Sequence, residues 1–288
     1  MNHFSADWLH LRESYDHRAR NVAVERALAA WSCTLNKTRL RVVDLGAGTG
    51  SNFRALSPRL KIPQDWLLLD HDAMLLEQVA EQTRRWADEH SLEWRIGGNR
   101  IYIDECTIRR QQIDLAHGLT PPSRRVDLLC AAALMDLVSA TWFESLIGCG
   151  CDGIYDAIHT VLSYDGRIEW QPQDAWDETA RELVNRHQLS DKGFGPALGP
   201  QAPITMLGTL RRYGFEVISG RSDWLLTPSD QTMQTYLLNG WQQAIAQLAP
   251  SRELDAWAQR RHGLVDAGHS RLRVGHQDLF AYRPQIKP

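Results

Sequence analysis

Residues 42 to 52 read Val-Val-Asp-Leu-Gly-Ala-Gly-Thr-Gly-Ser-Asn, a β-branched run that stops at an acid and enters three glycines at alternate positions. Glycines so spaced let the backbone turn sharply and let a ligand reach main-chain N–H groups with no Cβ in the way. The pattern predicts a strand over Arg39 to Leu45, a tight turn, and a helix over Asn52 to Leu60 that stops before Pro63. A dinucleotide fingerprint would need its third glycine at position 51, which is Ser51. The spacing here is G-x-G-x-G, and Asp44 closes the strand. A carboxylate at that point disfavours a pyrophosphate and favours a ligand that carries an amine.

The rest of the chain alternates in the same way. A helix is expected over residues 6 to 32, a strand over Trp66 to Asp70, and a long helix from Ala73 to Glu89. Further strands are expected near Leu92 to Ile96, near Ile108 to Leu115 and over Val126 to Ala132. Gly97-Gly98-Asn99 and the polar stretch around it suggest an insertion. Helices then fall over Leu137 to Ile147 and Gly153 to Ser163, with a strand over Gly166 to Trp170. Residues 171 to 203 carry four prolines and the run GFGPALGP, the signature of a loop or lid. A helix over Ile204 to Arg212, a strand over Gly214 to Gly220, helix over 230 to 265 and a strand over Gln277 to Tyr282 complete the chain. Strands alternating with helices argue for a parallel sheet covered on both faces.

At this point DLGAGTGSN resembles motif I of the class I S-adenosylmethionine-dependent methyltransferases. Twenty residues after Gly50, Asp70 ends WLLLD and precedes HDAMLL, which is similar to the second motif of that family. Gln112 to Leu115, Thr120-Pro121-Pro122 and Val126 to Leu129 resemble its third and fourth motifs, and Leu162 to Ile168 the approach to its fifth strand. The resemblance is good over residues 38 to 170 and loose over 204 to 283. It implies an α/β, Rossmann-like three-layer sandwich with a mostly parallel seven-stranded sheet whose last strand is antiparallel, with an N-terminal helical cap and a C-terminal helical insertion. The expected organisation is one domain over 1–288: cap 1–36, cofactor half 37–170, loop or lid 171–203, and substrate-side half 204–288 with its insertion at 230–265.

Carried over residue by residue, the resemblance implies S-adenosylmethionine as cofactor and S-adenosylhomocysteine as product. Asp44, Gly46, Ala47, Gly48, Gly50 and Asn52 would hold the amino-acid end, with Ala131 alongside on the fourth-motif strand. Asp70 would accept the ribose hydroxyls, with His71 and Asp72 beside it. Asp114 and Leu115 would sit at the adenine. Each acid also has a plainer reading: Asp70 as a helix N-cap and Asp114 as a loop acid.

The acceptor is read partly from what is missing. After the fourth-motif strand the chain runs Ala131-Ala132-Ala133-Leu134-Met135-Asp136, without the Asp/Asn-Pro-Pro-aromatic motif of base-amine methyltransferases and without a Pro-Cys pair. Cys130 lies inside an apolar strand and reads as core. These absences favour a small-molecule acceptor over nucleic acid. RNA or protein methylation, or a non-catalytic relative that binds the cofactor or its product, are the alternatives. Asp136 is the first candidate for a base or substrate ligand and His187, placed in the loop after the fifth strand, the second. Asp136 could equally cap the following helix, and His187 could be a solvated surface group. Arg12 and Arg20 would meet an acidic substrate if the first helix covers the cleft; the alternative is a solvated i, i+4 ladder with Asp16.

Composition bounds the rest. The 288 residues carry a net charge of −3, which gives no electrostatic reason to expect a polyanionic partner. Hydrophobic residues at 43% exclude disorder as the main state. The five cysteines are odd in number and lack framework spacing, and the close pair Cys149 and Cys151 has no further ligands beside it, so reduced thiols and no metal are expected. The first ten residues do not form a signal peptide, and the longest apolar stretch, Leu128 to Met135, is too short for a bilayer. A cytoplasmic protein with no membrane partner is the expectation, and a homodimer stays open. Tryptophan, at 11 against 6 Phe and 7 Tyr, calls for a large core or an aromatic-lined cleft. Most of these indoles fall outside the expected cofactor-fold strands, in segments that would roof a substrate cleft.

Overall fold

A computed structural model describes residues 5–117, 125–149 and 154–284. Its centre is five parallel strands in the order β5 (Cys106–Gln112), β2 (Gln64–Asp70), β1 (Leu40–Leu45), β6 (Val126–Ala132) and β7 (Tyr155–Gln171). The chain starts in the middle at β1, builds outward through β2 to β5, then returns to the other side of β1 with β6. That reversal between β1 and β6 opens a crevice at the strand ends, where ligands of such sheets bind.

Both flanks are antiparallel. β10 (Arg271–Tyr282) pairs with β7, and β8 (Glu216–Arg221) with β10. On the opposite edge β3 (Trp94–Gly97) and β4 (Arg100–Ile103) form a hairpin laid on β5. β9 (Trp224–Leu226) adds to β10. Over the described residues the sheet therefore has ten strands where seven were expected. The expected insertion at Gly97-Gly98-Asn99 is the hairpin turn, with Gly98 at φ 63°.

Helices cover both faces. α2 (Val22–Thr34), α3 (Ser51–Leu56) and α4 (Ala73–Glu89) bury Leu28, Phe53 and Val79 against Val42, Leu68, Leu128 and Phe280. α5 (Ala140–Cys149) and α7 (Ala202–Arg212) bury Phe143, Ile147, Met206 and Leu210 against Val43, Leu45, Leu129 and Ile158. Burial of side chains this size stabilises by roughly 1.5–3 kcal/mol each, which fixes the sheet beneath its turn.

Three expectations are corrected. The segment read as a helix over 153 to 163 is, over its described part, the first half of β7, which runs unbroken for 17 residues. It is buried on both faces between β6 and β10, so its apolar residues do not alternate and no period of two is visible. The loop over 171 to 203 contains a helix, α6 (Asp177–Gln188). All four prolines lie outside it, and Ala180 and Val184 form its buried stripe. The single helix over 6 to 32 is two, α1 (Ala6–Ala19) and α2, because the Asn21 side chain caps α2 by accepting from Ala23 and Val24 N–H at 3.0 and 3.1 Å.

The long outer ends of β7 and β10 carry a third core with α1, α6, α8 (Gln231–Leu248) and α9 (Arg252–Asp266). Trp170 lies edge-on to Trp241 and Trp257 at 5.5 and 5.6 Å, and Trp176 meets Trp257 at 5.6 Å. Four of the surplus indoles thus pack the added helices onto the sheet. Residues 150–153, the side chain of Cys149 and Thr120-Pro121-Pro122 lie outside the described residues.

Candidate ligand site at the glycine turn

The turn after β1 bends at Gly46, Gly48 and Gly50, with φ of 63°, 52° and 84°. Its crown is drawn onto the end of β2. Ala47 N–H donates to the Leu69 carbonyl at 3.0 Å, and Gly48 N–H donates to Asp70 Oδ2 at 2.7 Å. Asp70 Oδ1 accepts from Asp72 N–H at 2.9 Å and lies 3.2 Å from His71 Nδ1. A carboxylate has about four lone-pair positions, so Asp70 keeps acceptor capacity for a ligand hydroxyl. Asp72 is the N-cap of α4, accepting from Met74 and Leu75 N–H, so the helix-cap role considered for Asp70 belongs to its neighbour.

Asp44 is fully buried at the end of β1. Its Oδ1 accepts from Asn52 Nδ2 at 2.6 Å, while its Oδ2 has no partner. Burial pushes the carboxyl up to about 7, against the pull of the Asn52 amide and the Arg20 guanidinium; the nearby Asp70 adds to the rise. A bare, buried carboxylate oxygen beside a glycine turn fits a ligand with a cationic donor. Asn52 is itself held on its other side by Arg20, whose Nη2 donates to Asn52 Oδ1 at 2.7 Å.

The turn is roofed. A Cβ on Gly48 would stand 3.0 Å from Leu9 Cδ1 of α1, and one on Gly46 would stand 3.4 Å from Leu134 Cδ2. His17, pushed down to about 4 chiefly by burial and so neutral at pH 7, places Nε2 3.0 Å from Ser51 Oγ. Glu13 takes a two-pronged bond from Arg54, both arms at 2.7 Å. The cap helix therefore sits on the turn through polar and apolar contacts alike.

The end of β5 completes this edge. Ile113 N–H donates to the Asp70 carbonyl at 2.8 Å, which sets Asp114 beside the segment Asp70 to Asp72. Asp114 Oδ1 accepts from Ala116 N–H at 2.9 Å, and Oδ2 lies 3.1 Å from His117 Nδ1. Leu115 is buried, and its carbonyl accepts from Trp142 Nε1 at 2.7 Å. Ala131, paired in register with Leu45, is buried in the apolar cluster beneath α5 and α7.

Two residues beyond Leu134 comes Asp136, 9% exposed, with Oδ1 unpartnered. Burial pushes this carboxyl up to about 6; the N–H groups of Asp136 and Tyr164 and the charges of Arg12 and Lys192 hold it back. Its carbonyl accepts from Gly199 N–H at 2.8 Å. Next to it, an aromatic group gathers around Arg12. The guanidinium stands 5.5 Å from the Trp8 ring centre and 5.0 Å from that of Trp224, and the Trp224 ring lies 4.8 Å from His276. Arg12 binds Asp16 through two arms at 2.9 and 3.3 Å, and Asp16 also accepts from Trp224 Nε1 at 3.0 Å.

The ladder expected to be solvated is therefore buried: Asp16 is 8% exposed, and Arg20 turns away to Asn52. His187 is also corrected. It lies on α6, not in a loop, and its Nε2 lies 3.0 Å from Gln247 Oε1 of α8. His276 escapes sequence reading because the expected last strand starts at Gln277, six residues late. It is buried and its Nδ1 has no partner; burial, with help from Arg12, pushes it down to about 3, so it is neutral.

No protein-family model matches the chain, and no curated protein matches it. Solved structures similar to it include a SAM-dependent methyltransferase from Geobacter sulfurreducens in complex with S-adenosyl-L-homocysteine, 13% identical over 99% of this chain and 100% of that one, with a TM-score of 0.45. Another, from Thiobacillus denitrificans in complex with the same compound, is 13% identical over 98% of this chain and 100% of that one, with a TM-score of 0.43. The cyclopropane synthase MmaA2 from Mycobacterium tuberculosis is 12% identical over 96% of this chain and 94% of that one, with a TM-score of 0.46. Likeness of this depth carries no ligand and no chemistry to this chain.

Proposed function

We infer that the chain is a class I S-adenosylmethionine-dependent methyltransferase acting on a small-molecule acceptor. The observation that carries this reading is the pair of acids around the glycine turn. Asp44 offers one bare buried oxygen, and Asp70 holds the turn while keeping acceptor capacity. These residues fit a ligand with an ammonium at one end and ribose hydroxyls at the other. When bound, S-adenosylmethionine supplies an electrophilic methyl group on sulfur.

The chain's own residues do the rest. Asp44 Oδ2 takes the ammonium, and Asp70 takes the hydroxyls, with Asp114 and Leu115 beside the adenine. Leu9 and Leu134 lie over the turn as its apolar walls. Holding the acceptor at attack distance in a dry site supplies much of the rate. Asp136 is the base that takes the proton of an acceptor hydroxyl or amine. Its unpartnered oxygen and its rise to about 6 support that role, since it is largely ionised at pH 7. His187 is the weaker candidate because its ring is engaged with Gln247. Among the described residues no helix is long and apolar enough to cross a membrane. We read the chain as one domain working in the cytoplasm on its own or as a homodimer.

Calorimetry with S-adenosylmethionine, S-adenosylhomocysteine and NADH tests the reading. Heat with the first two and none with NADH is expected. Heat with NADH alone would sink it.

A further inference from the structure

Arg20 stands at the junction where α1 ends, one residue before the cap of α2. Its residue is 5% exposed, and its Nη2 donates to Asn52 Oδ1 at 2.7 Å. The same amide donates through Nδ2 to Asp44 Oδ1 at 2.6 Å. Arg20 Nε and Nη1 and Asp44 Oδ2 are buried without partners. A guanidinium can only donate, so its presence fixes the Asn52 amide with oxygen toward Arg20 and nitrogen toward Asp44. That orientation covers Oδ1 of Asp44 and leaves Oδ2 bare. We propose that Arg20 is a positioning residue of the glycine-turn site: through Asn52 it fixes the Asp44 carboxylate so that Oδ2 faces the ligand ammonium, and it couples that site to the seating of the helical cap.

The inference rests on the reading of the turn as an S-adenosylmethionine site. The junction itself is clamped to the sheet. Asp278 of β10 accepts from Asn21 N–H and from Leu162 N–H, both at 2.8 Å. Neither Asp16 nor Glu25 bonds to the Arg20 side chain, although both act on its charge, as do Asp278 and the opposing Arg59. Asn52 is the only bonded outlet of the guanidinium among the described residues.

The groups facing Asp44 are few. Arg20 comes from the junction, Asn52 from α3 and Asp70 from β2. Cys130 of β6 is its register neighbour, and His159 of β7 follows in the same row. Burial raises the Cys130 thiol well above its usual range and pushes His159 down to about 3, so both are neutral at pH 7. Among the described residues Arg20 is thus the one cation acting on Asp44. The ionised carboxylate that an ammonium needs becomes scarce below about pH 7. Binding there must expel a proton, and affinity falls by up to tenfold per pH unit below the break. Loss of the Arg20 charge moves that break upward.

The test uses the full chain and S-adenosylhomocysteine, titrated calorimetrically from pH 5.5 to 8.5 in two buffers of different ionisation enthalpy. The wild type should show a break near pH 7, with proton release below it. Arg20→Gln should move the break up by about one unit and weaken binding about fivefold at pH 7, approaching about tenfold at pH 5.5. Arg20→Lys keeps the charge without the fork and should restore the break but not the full affinity. Asn52→Leu, which cuts the relay and leaves the guanidinium, should also move the break upward. An unshifted break with unchanged proton release in Arg20→Gln overturns the proposal; should that variant not fold, the same result in Asn52→Leu overturns it. If the wild type binds neither S-adenosylmethionine nor S-adenosylhomocysteine, it is the reading of the site that fails.

Discussion

Gly48 N–H donates to Asp70 Oδ2 at 2.7 Å, so the acid that ends β2 holds the crown of the turn that follows β1. One carboxylate joins two parallel strands at the point where the sheet opens. Asp70→Ala should remove that hold together with the bond to Asp72 N–H. S-adenosylhomocysteine affinity is expected to fall by about 1–3 kcal/mol, the cost of ligand hydroxyls losing an acceptor in a buried site. Calorimetry measures this directly. Unchanged affinity would mean that Asp70 serves the turn alone.

Gly48 sits at φ 52° with Leu9 Cδ1 3.0 Å from where a Cβ would stand. Gly48→Ala is therefore expected to cost about 1–2 kcal/mol from the left-handed backbone, with a further cost from the clash with Leu9. Leu9→Ala combined with it should recover the clash part only. Urea unfolding of the two single variants and the double variant separates the two parts; full additivity would show that α1 does not press on the turn.

Asp136 and Asp44 are pushed up to about 6 and about 7 by burial, against an ordinary carboxylate value near 3.9. Between these values the folded chain binds more protons than the unfolded one. Stability should therefore be highest near pH 4 with respect to these groups and decline as pH rises through 6 and 7. For Asp136 alone the decline amounts to about 3 kcal/mol, at about 1.4 kcal/mol per unit of difference. Asp136→Asn should about halve the slope that these two groups give between pH 4 and 6 and leave the Asp44 decline, which runs on to about pH 7, in place. Chemical denaturation midpoints at half-unit steps measure it. An unchanged slope over pH 4 to 6 would show that Asp136 does not titrate there.

The turn and its acids were legible because three glycines and two strand-ending acids leave few alternatives for the backbone. Ala73–Glu89 and Val126–Ala132 were legible to the residue, one through its 3.6 period, the other as an apolar run bounded by turn residues. β7 was not legible as one element. Burial on both faces erased the alternation that marks a strand, so its first half read as a helix. Arg20 and His276 were obscured for a different reason. Each acquires its meaning from a partner far along the chain, Asn52 for one and Trp224 for the other, and no local spacing encodes such a contact.

The added helices are pinned by an ion pair that sequence spacing also hides. Arg261 of α9 is fully buried, with two bonds to the Asp177 carboxylate at the start of α6 and a third to the Pro172 carbonyl at 2.7 Å. Trp257 Nε1 donates to the same Asp177 Oδ1 at 2.9 Å, and the guanidinium stands 5.5 Å from the Trp170 ring centre. Removing one partner of such a pair leaves the other charge buried alone, which costs about 3–5 kcal/mol. Arg261→Met should show a loss of that size, because the methionine fills the volume but leaves the Asp177 carboxylate without a counter-charge, bonded only to the Trp257 indole N–H and the Asp174 backbone N–H. Asp177→Leu in the same chain removes the stranded charge and should return a large part of the loss. Thermal and urea unfolding of the single and double variants gives the coupling. A single variant within about 0.5 kcal/mol of the wild type would show that this pair does not pin α6 to α9.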